Sequence, residues 1–179
     1  MGLALGSLTA TLPLGALAQG TSPTTIDKQF VQQAMLSNAK AIKTADIERH
    51  SSNASVRMFA RTIVRDSGTA VAQLASVANQ ENIPFPRAAV VNVDRNAAAP
   101  PQGEPATVTH QNIAAHPASP RSYMQNEITN LQSAIALYKY EGRNGSDQYV
   151  RAYASRTLPV LQNDLTKARQ YMTVGRITH

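Results

Sequence analysis

Apolar residues recur at helical spacing in four separate stretches of the chain. In the first, Phe30, Ala34, Ala41 and Ala45 share one face, with Val31, Met35 and Ile42 beside them, the stripe of an amphipathic helix. Thr24 with Asp27 three residues on, just behind Pro23, reads as a capping box at its start. Ser51-Ser52-Asn53 interrupts the run and offers a new N-cap. The second stretch is the clearest: Val56, Phe59/Ala60, Ile63, Ser67, Ala70/Val71, Leu74 and Val77 follow alternating three- and four-residue steps. It ends at Asn82-Ile83-Pro84-Phe85-Pro86, because proline cannot continue a helix and restrains the residue before it. Ser119-Pro120 makes the cap and first-turn pair of a third helix, whose stripe is Met124, Ile128, Leu131, Ile135 and Tyr138. After a turn at Gly142-Arg143-Asn144-Gly145-Ser146 the fourth carries Val150, Ala154, Leu158, Leu161, Leu165, Ala168 and Met172. Pro159 lies inside that run and is expected to kink it, and Gly175 is its expected stop.

Residues 87–119 follow no such period. Ala, Pro, Val, Asn and Thr dominate there, with Pro100-Pro101, Pro105 and Pro117. A connection of that length is longer than most loops inside compact domains, so it is either mobile or wrapped over the helices. Two helical hairpins joined by one long Pro/Ala-rich crossover give an all-α, ferritin-like four-helix bundle over residues 25–175.

The first twenty residues carry no charge and are rich in Leu, Ala and Gly. Ala16-Leu17-Ala18 has the small residues of a signal peptidase site, so residues 1–18 read as a signal peptide and 19–24 as an exported tail. The usual basic n-region is missing, which allows a start upstream of Met1. Gly6, Pro13 and Gly15 interrupt the segment too often for a membrane anchor.

Composition narrows the chemistry. The 179 residues suit one domain. Aromatic residues make up only 5%, so a core of Ala, Leu, Ile, Val and Met is expected. The absence of cysteine excludes disulfides, thiolate metal sites and a Cys nucleophile. No Gly-x-Ser-x-Gly elbow and no Gly-rich phosphate loop occurs.

The stretches Asp27–Ala34, Val56–Asp66 and Ile83-Pro84-Phe85-Pro86, with Tyr123 and Thr157-Leu158-Pro159-Val160-Leu161, are similar to a bacterial family of exported proteins. Its members carry a ferritin-like domain of unknown function and are often labelled predicted outer-membrane proteins. The resemblance covers roughly residues 25–173 and rests on the order and spacing of these pieces. It implies a carboxylate midway along the first helix, a His after the position of Asp66, a His in the third helix and another beyond the Leu-Pro pair. This chain departs at each: the matching positions are Lys40 or Ala41, Ser67, Leu131 and Asp164.

Coordination chemistry agrees with those departures. A di-iron bundle site needs carboxylates and two Glu-x-x-His pairs converging from four helices, and no Glu-x-x-His occurs here. His50 falls at a helix end, His110 and His116 in the crossover, and His179 at the terminus. Asp66 and Asp164 flank the core stripes and are weak candidates for a remnant metal site, with pairing to Arg or a helix N–H the alternative. No cofactor, no bound metal and no catalysis are therefore expected. Lys and Arg number 17 against 11 Asp and Glu, a net charge of +6. Arg57, Arg61 and Arg65 stand four apart on one side of the second helix, with Lys139 and Arg151 as extensions. They are either an anion-binding face or an ordinary solvated one. Scarce aromatic stacking residues point away from nucleic acid, and Tyr138, Tyr140, Tyr149, Tyr153 and Tyr171 are expected at the bundle edge. The function expected is that of an exported, periplasmic or outer-membrane-associated bundle in an interaction or stress-related role. Its partner would be a protein, another envelope component or a membrane surface. A metal-binding protein with unrecognised ligands and a basic module for anionic envelope components are the alternatives.

Overall fold

The computed structural model describes residues 22–87 and 119–174. Among them are four helices and no strand: α1 (Thr25–Glu48), α2 (Ala54–Gln80), α3 (Pro120–Asn144) and α4 (Gln148–Val174). The expected leader with its expected cleavage site at Ala16 and Ala18, nearly all of the expected crossover, His110, His116 and His179 lie outside the described residues.

Each helix is delimited by recognisable chemistry. Asn53 caps α2, accepting from the Ser55 and Val56 amides at 3.0 and 3.1 Å. Ser119 accepts from the Ser122 amide at 3.1 Å and Pro120 opens α3. At the end of α2, Asn82 adopts a positive φ of 53°, and the Ile83 amide reaches back to the Ala78 carbonyl at 2.8 Å. This is a Schellman stop with Asn in the position that glycine usually takes. One expectation shifts. The turn after α3 is shorter than expected, because the helix continues through Gly142 to Asn144. The α4 helix runs through Pro159 as one element.

The closest packing is α1 on α2 and α3 on α4, followed by α2 on α4 and α1 on α3. This makes a square of two antiparallel hairpins, with α1 and α4 on one diagonal. Asp27 at the start of α1 bonds the Ser146 and Asp147 amides before α4. Hence α1 and α4 begin at one end of the bundle, where α2 and α3 finish.

The core follows the four stripes, with one correction to its composition. Its largest fully buried side chains are Tyr123, Tyr138, Tyr153, Phe30 and Phe59, not aliphatic residues. Tyr138 and Tyr153 therefore leave the expected bundle edge for its centre, whereas Tyr140 and Tyr149 are exposed. The physical reason is hydrogen bonding, since a buried tyrosine is stable when its hydroxyl finds partners. Asn38 donates to Tyr138 Oη at 3.2 Å, Tyr138 and Tyr153 meet hydroxyl to hydroxyl at 3.2 Å, and Tyr153 donates to the Ala70 carbonyl at 3.0 Å. One chain of hydrogen bonds thus runs through all four helices. Phe30 seals it edge-on against the Tyr138 ring at 4.9 Å.

Candidate functional site

A small cavity lies beside that hydrogen-bonded layer. Its volume is about 30 Å³, room for one or two water-sized groups. Every helix contributes to its walls: Asn38 and Ala41 from α1, Asp66 and Ser67 from α2, Glu127 and Leu131 from α3, Thr157 and Asp164 from α4. The heptad-like stripes bring these positions together, because residues three and four apart share the inward face of each helix.

Three of the walls are carboxyl groups in different situations. Asp66 is pinned by its neighbour, its oxygens taking Arg65 Nε at 2.7 Å and Nη2 at 3.2 Å. Asp164 is buried, with Lys167 Nζ 3.6 Å from Oδ1, too long for a good hydrogen bond. Burial first, and then the charge of Asp66, push its carboxyl up to about 6. Glu127 is 1% exposed, and neither of its oxygens has a hydrogen bond. Burial opposes its ionisation most and Asp164 adds to that. Asn130 and Lys40 only partly offset the two, and the carboxyl is pushed up to about 7. Next to it the Tyr123 hydroxyl is buried without a partner, its pKa raised by burial and by Glu127 and Glu48. The chamber is therefore acidic in composition yet holds protons near neutrality.

The positions singled out by sequence resemblance largely converge here. Ala41, Ser67, Leu131 and Asp164 all line the cavity, and Lys40 does not. Of the two alternatives at the first position, Ala41 faces the chamber. Asp66 and Asp164 meet in it as well. Glu127 was missed, although it falls three residues after Met124 and four before Leu131, on the core stripe itself. No three His, Cys, Asp or Glu side chains among the described residues are grouped so as to hold a metal ion. His50 is exposed at the end of α1.

The arginine face is less uniform than its spacing implies. Arg57 is half-buried, and its guanidinium donates to the Ser51 carbonyl at 2.8 Å, tying down the α1–α2 turn. Arg65 is exposed but engaged with Asp66. Arg61 is exposed between them. A wider groove, lined by Thr69, Gln73, Ser76 and Gln80 of α2 and by Tyr149 and Arg156 of α4, runs between those two helices. No helix among the described residues is long and apolar enough to cross a membrane.

Comparison with known proteins supports the fold and gives no activity. No curated protein matches the chain significantly. A solved structure described as a DUF305 fragment from Deinococcus radiodurans is similar, with a TM-score of 0.60 and 15% identity over 86% of this chain and 99% of that one. At that identity the likeness is one of architecture. A family model described as "Domain of unknown function (DUF4142)" matches residues 13–171, nearly the whole of the bundle, and the chain belongs to that family.

Proposed function

We propose that this protein is an exported, ferritin-like helical bundle without catalytic activity, acting in the cell envelope through binding in an interaction or stress-related role. The observation that carries the non-catalytic reading is the donor set of the central cavity. Facing helices of a bundle build metal and cofactor sites in its core, and here those positions are Ala41, Ser67, Leu131 and Asp164. Ala and Leu offer no lone pair, and Ser is a weak ligand. No imidazole lines the chamber to tune a redox metal. At about 30 Å³ the chamber itself is too small to enclose an organic substrate. What supports export is the uncharged leader ending in Ala16-Leu17-Ala18.

A second reading has one observation in its favour. Glu127 lines the same chamber as Asp66 and Asp164, and although the three are not grouped around one point as they stand, a hard cation such as manganese or calcium would draw such oxygen donors together. Two measurements separate the readings. N-terminal sequencing of protein from its native host is expected to begin near Gln19, in an extracytoplasmic fraction. Met1 retained on cytosolic protein contradicts export. The melting temperature is expected to stay unmoved by micromolar iron, manganese, zinc or calcium, since a ligand of the native state raises it. A rise abolished by Glu127→Gln establishes the second reading instead.

A further inference from the structure

The end of the bundle where α1 and α4 begin carries a carboxyl group from each helix. Asp27 lies in the first turn of α1, Glu81 just after α2, Glu141 in the last turn of α3 and Asp147 just before α4. Asp27 is saturated by donors at both oxygens, and Asp147 is satisfied at Oδ1 while its buried Oδ2 has no hydrogen bond. Asp27 Oδ2 takes the Thr24 amide and hydroxyl, each at 2.6 Å, and Oδ1 takes the Ser146 and Asp147 amides at 3.0 and 3.1 Å. Asp147 Oδ1 caps α4, accepting from the Tyr149 and Val150 amides, both at 2.9 Å. Glu81 is half-buried at the rim.

Glu141 stands apart. It is fully buried, and no N–H or hydroxyl reaches either of its oxygens. It is pressed against Asp27: a Cβ at Gly145 would overlap Glu141 Oε1 and come within 2.9 Å of Asp27 Oδ1. Two charged carboxylates repel in such a position, whereas one proton between them makes a short, charge-assisted O–H···O⁻ bond. The donors around Asp27 favour its charged form, which leaves Glu141 as the proton's holder.

We propose that this end of the bundle is a proton-operated latch, in which a proton carried by Glu141 and shared with Asp27 fastens the first turn of α1 to the α3–α4 turn, and whose loss in alkaline solution frees that turn. The charges that act on the pair come from every helix end. Burial first, then Asp27 and Asp147, push Glu141 up to about 8, with Arg151 partly offsetting them. Burial first, then Asp147, raise Glu81 as well, so the rim adds no countercharge from α2. For Asp27, burial is outweighed by its bonds from Thr24, Asp147 and Glu141, which hold it below its ordinary value. The latch is therefore closed below about pH 8 and open above it. Gly145 matters for space and not for backbone strain, as its φ is −62°.

The test is amide hydrogen exchange on the full chain, read as protection factors between about pH 6 and about pH 9.5. The wild-type Lys28 amide, which closes the first turn of α1 on the Thr24 carbonyl at 3.1 Å, and the Ser146 and Asp147 amides are expected to lose about tenfold protection per pH unit above about 8, while mid-helix amides from Ile63 to Leu74 do not follow them. Glu141→Gln still donates a hydrogen bond to Asp27 but has no proton to lose, so its protection at the three amides is expected to stay level. Gly145→Ala, which forces the pair apart, is expected to lower it already at about pH 6. Equal pH dependence in wild type and Glu141→Gln overturns the proposal. So does a Glu141 carboxyl carbon that titrates near 4.5 by NMR in the wild-type protein, a measurement that decides even if the variants fail to fold.

Discussion

Acidification from about pH 8.5 to about pH 5 is expected to raise the melting temperature by at least about 5 °C. Most proteins carry salt-bridged carboxylates whose folded-state pKa values are depressed, and acid weakens them. Here three buried carboxyls have moved the other way: Asp164 to about 6, Glu127 to about 7 and Glu141 to about 8. Burial is the leading cause in all three. In the unfolded chain the same groups titrate near 3.8, 4.5 and 4.5. Between those limits the folded protein binds protons that the unfolded chain has released. Each step down in pH therefore favours folding, until the unfolded chain is protonated as well. The contribution is complete below about pH 4 and lost progressively up to about pH 8. Asp27, held below its ordinary value, works in the opposite sense at the acid end and places the optimum between about pH 4 and about pH 5.

Thermal melts at constant ionic strength check the direction. A melting temperature that is flat or rises from about pH 5 to about pH 8.5 contradicts it. Glu127→Gln separates one contributor from the rest. Its pKa displacement, from 4.5 to about 7, corresponds to about 3 kcal/mol at most. That variant is expected to exceed the wild type in stability at about pH 8.5 and to lose the advantage at about pH 5.

Phe59→Ala is expected to cost about 3–5 kcal/mol, enough to lower the melting temperature by roughly 10 °C or more. Phe59 is fully buried on α2, and its ring meets the edges of Tyr123 on α3 and Tyr171 on α4, with centroids 6.4 and 6.0 Å apart. Truncation removes the group that joins three helices at the end where α3 starts. The rigid rings around it cannot collapse into the space, so the cavity term adds to the transfer term. Phe59→Leu keeps most of the volume and is expected to cost less than half as much. Urea unfolding of the three proteins gives the comparison, and near-equal midpoints for Phe59→Ala and wild type contradict this role.

Much of the fold was legible because the core stripes are regular. Val56, Phe59, Ile63, Ala70 and Leu74 are buried as their three- and four-residue steps require, and Asn53 caps α2 where the break in pattern placed it. The carboxyls were legible in principle. Glu127 and Glu141 occupy steps of the same series as Met124, Leu131 and Tyr138, but a charged residue in an apolar stripe is ordinarily assigned to the solvent side. Their burial depends on protons and on neighbouring helices, which one helix's periodicity does not contain. The meeting of Ala41, Ser67, Leu131 and Asp164 in one chamber was legible only through family resemblance. Axial offset and rotation between helices are set by packing, and α1 and α4 scarcely touch. The tyrosines went to the centre for a similar reason: Tyr138 and Tyr153 are stable there only because Asn38 and the Ala70 carbonyl complete their hydrogen bonds.

Elemental analysis of the mature protein, purified from its native host without chelator, tests the non-catalytic reading most directly. The expected result is no iron, manganese, copper or zinc in stoichiometric amount, because the chamber between Asp66, Glu127 and Asp164 lacks imidazole and holds protons near neutrality. One equivalent of metal that disappears with Asp164→Ala or Glu127→Ala would contradict it.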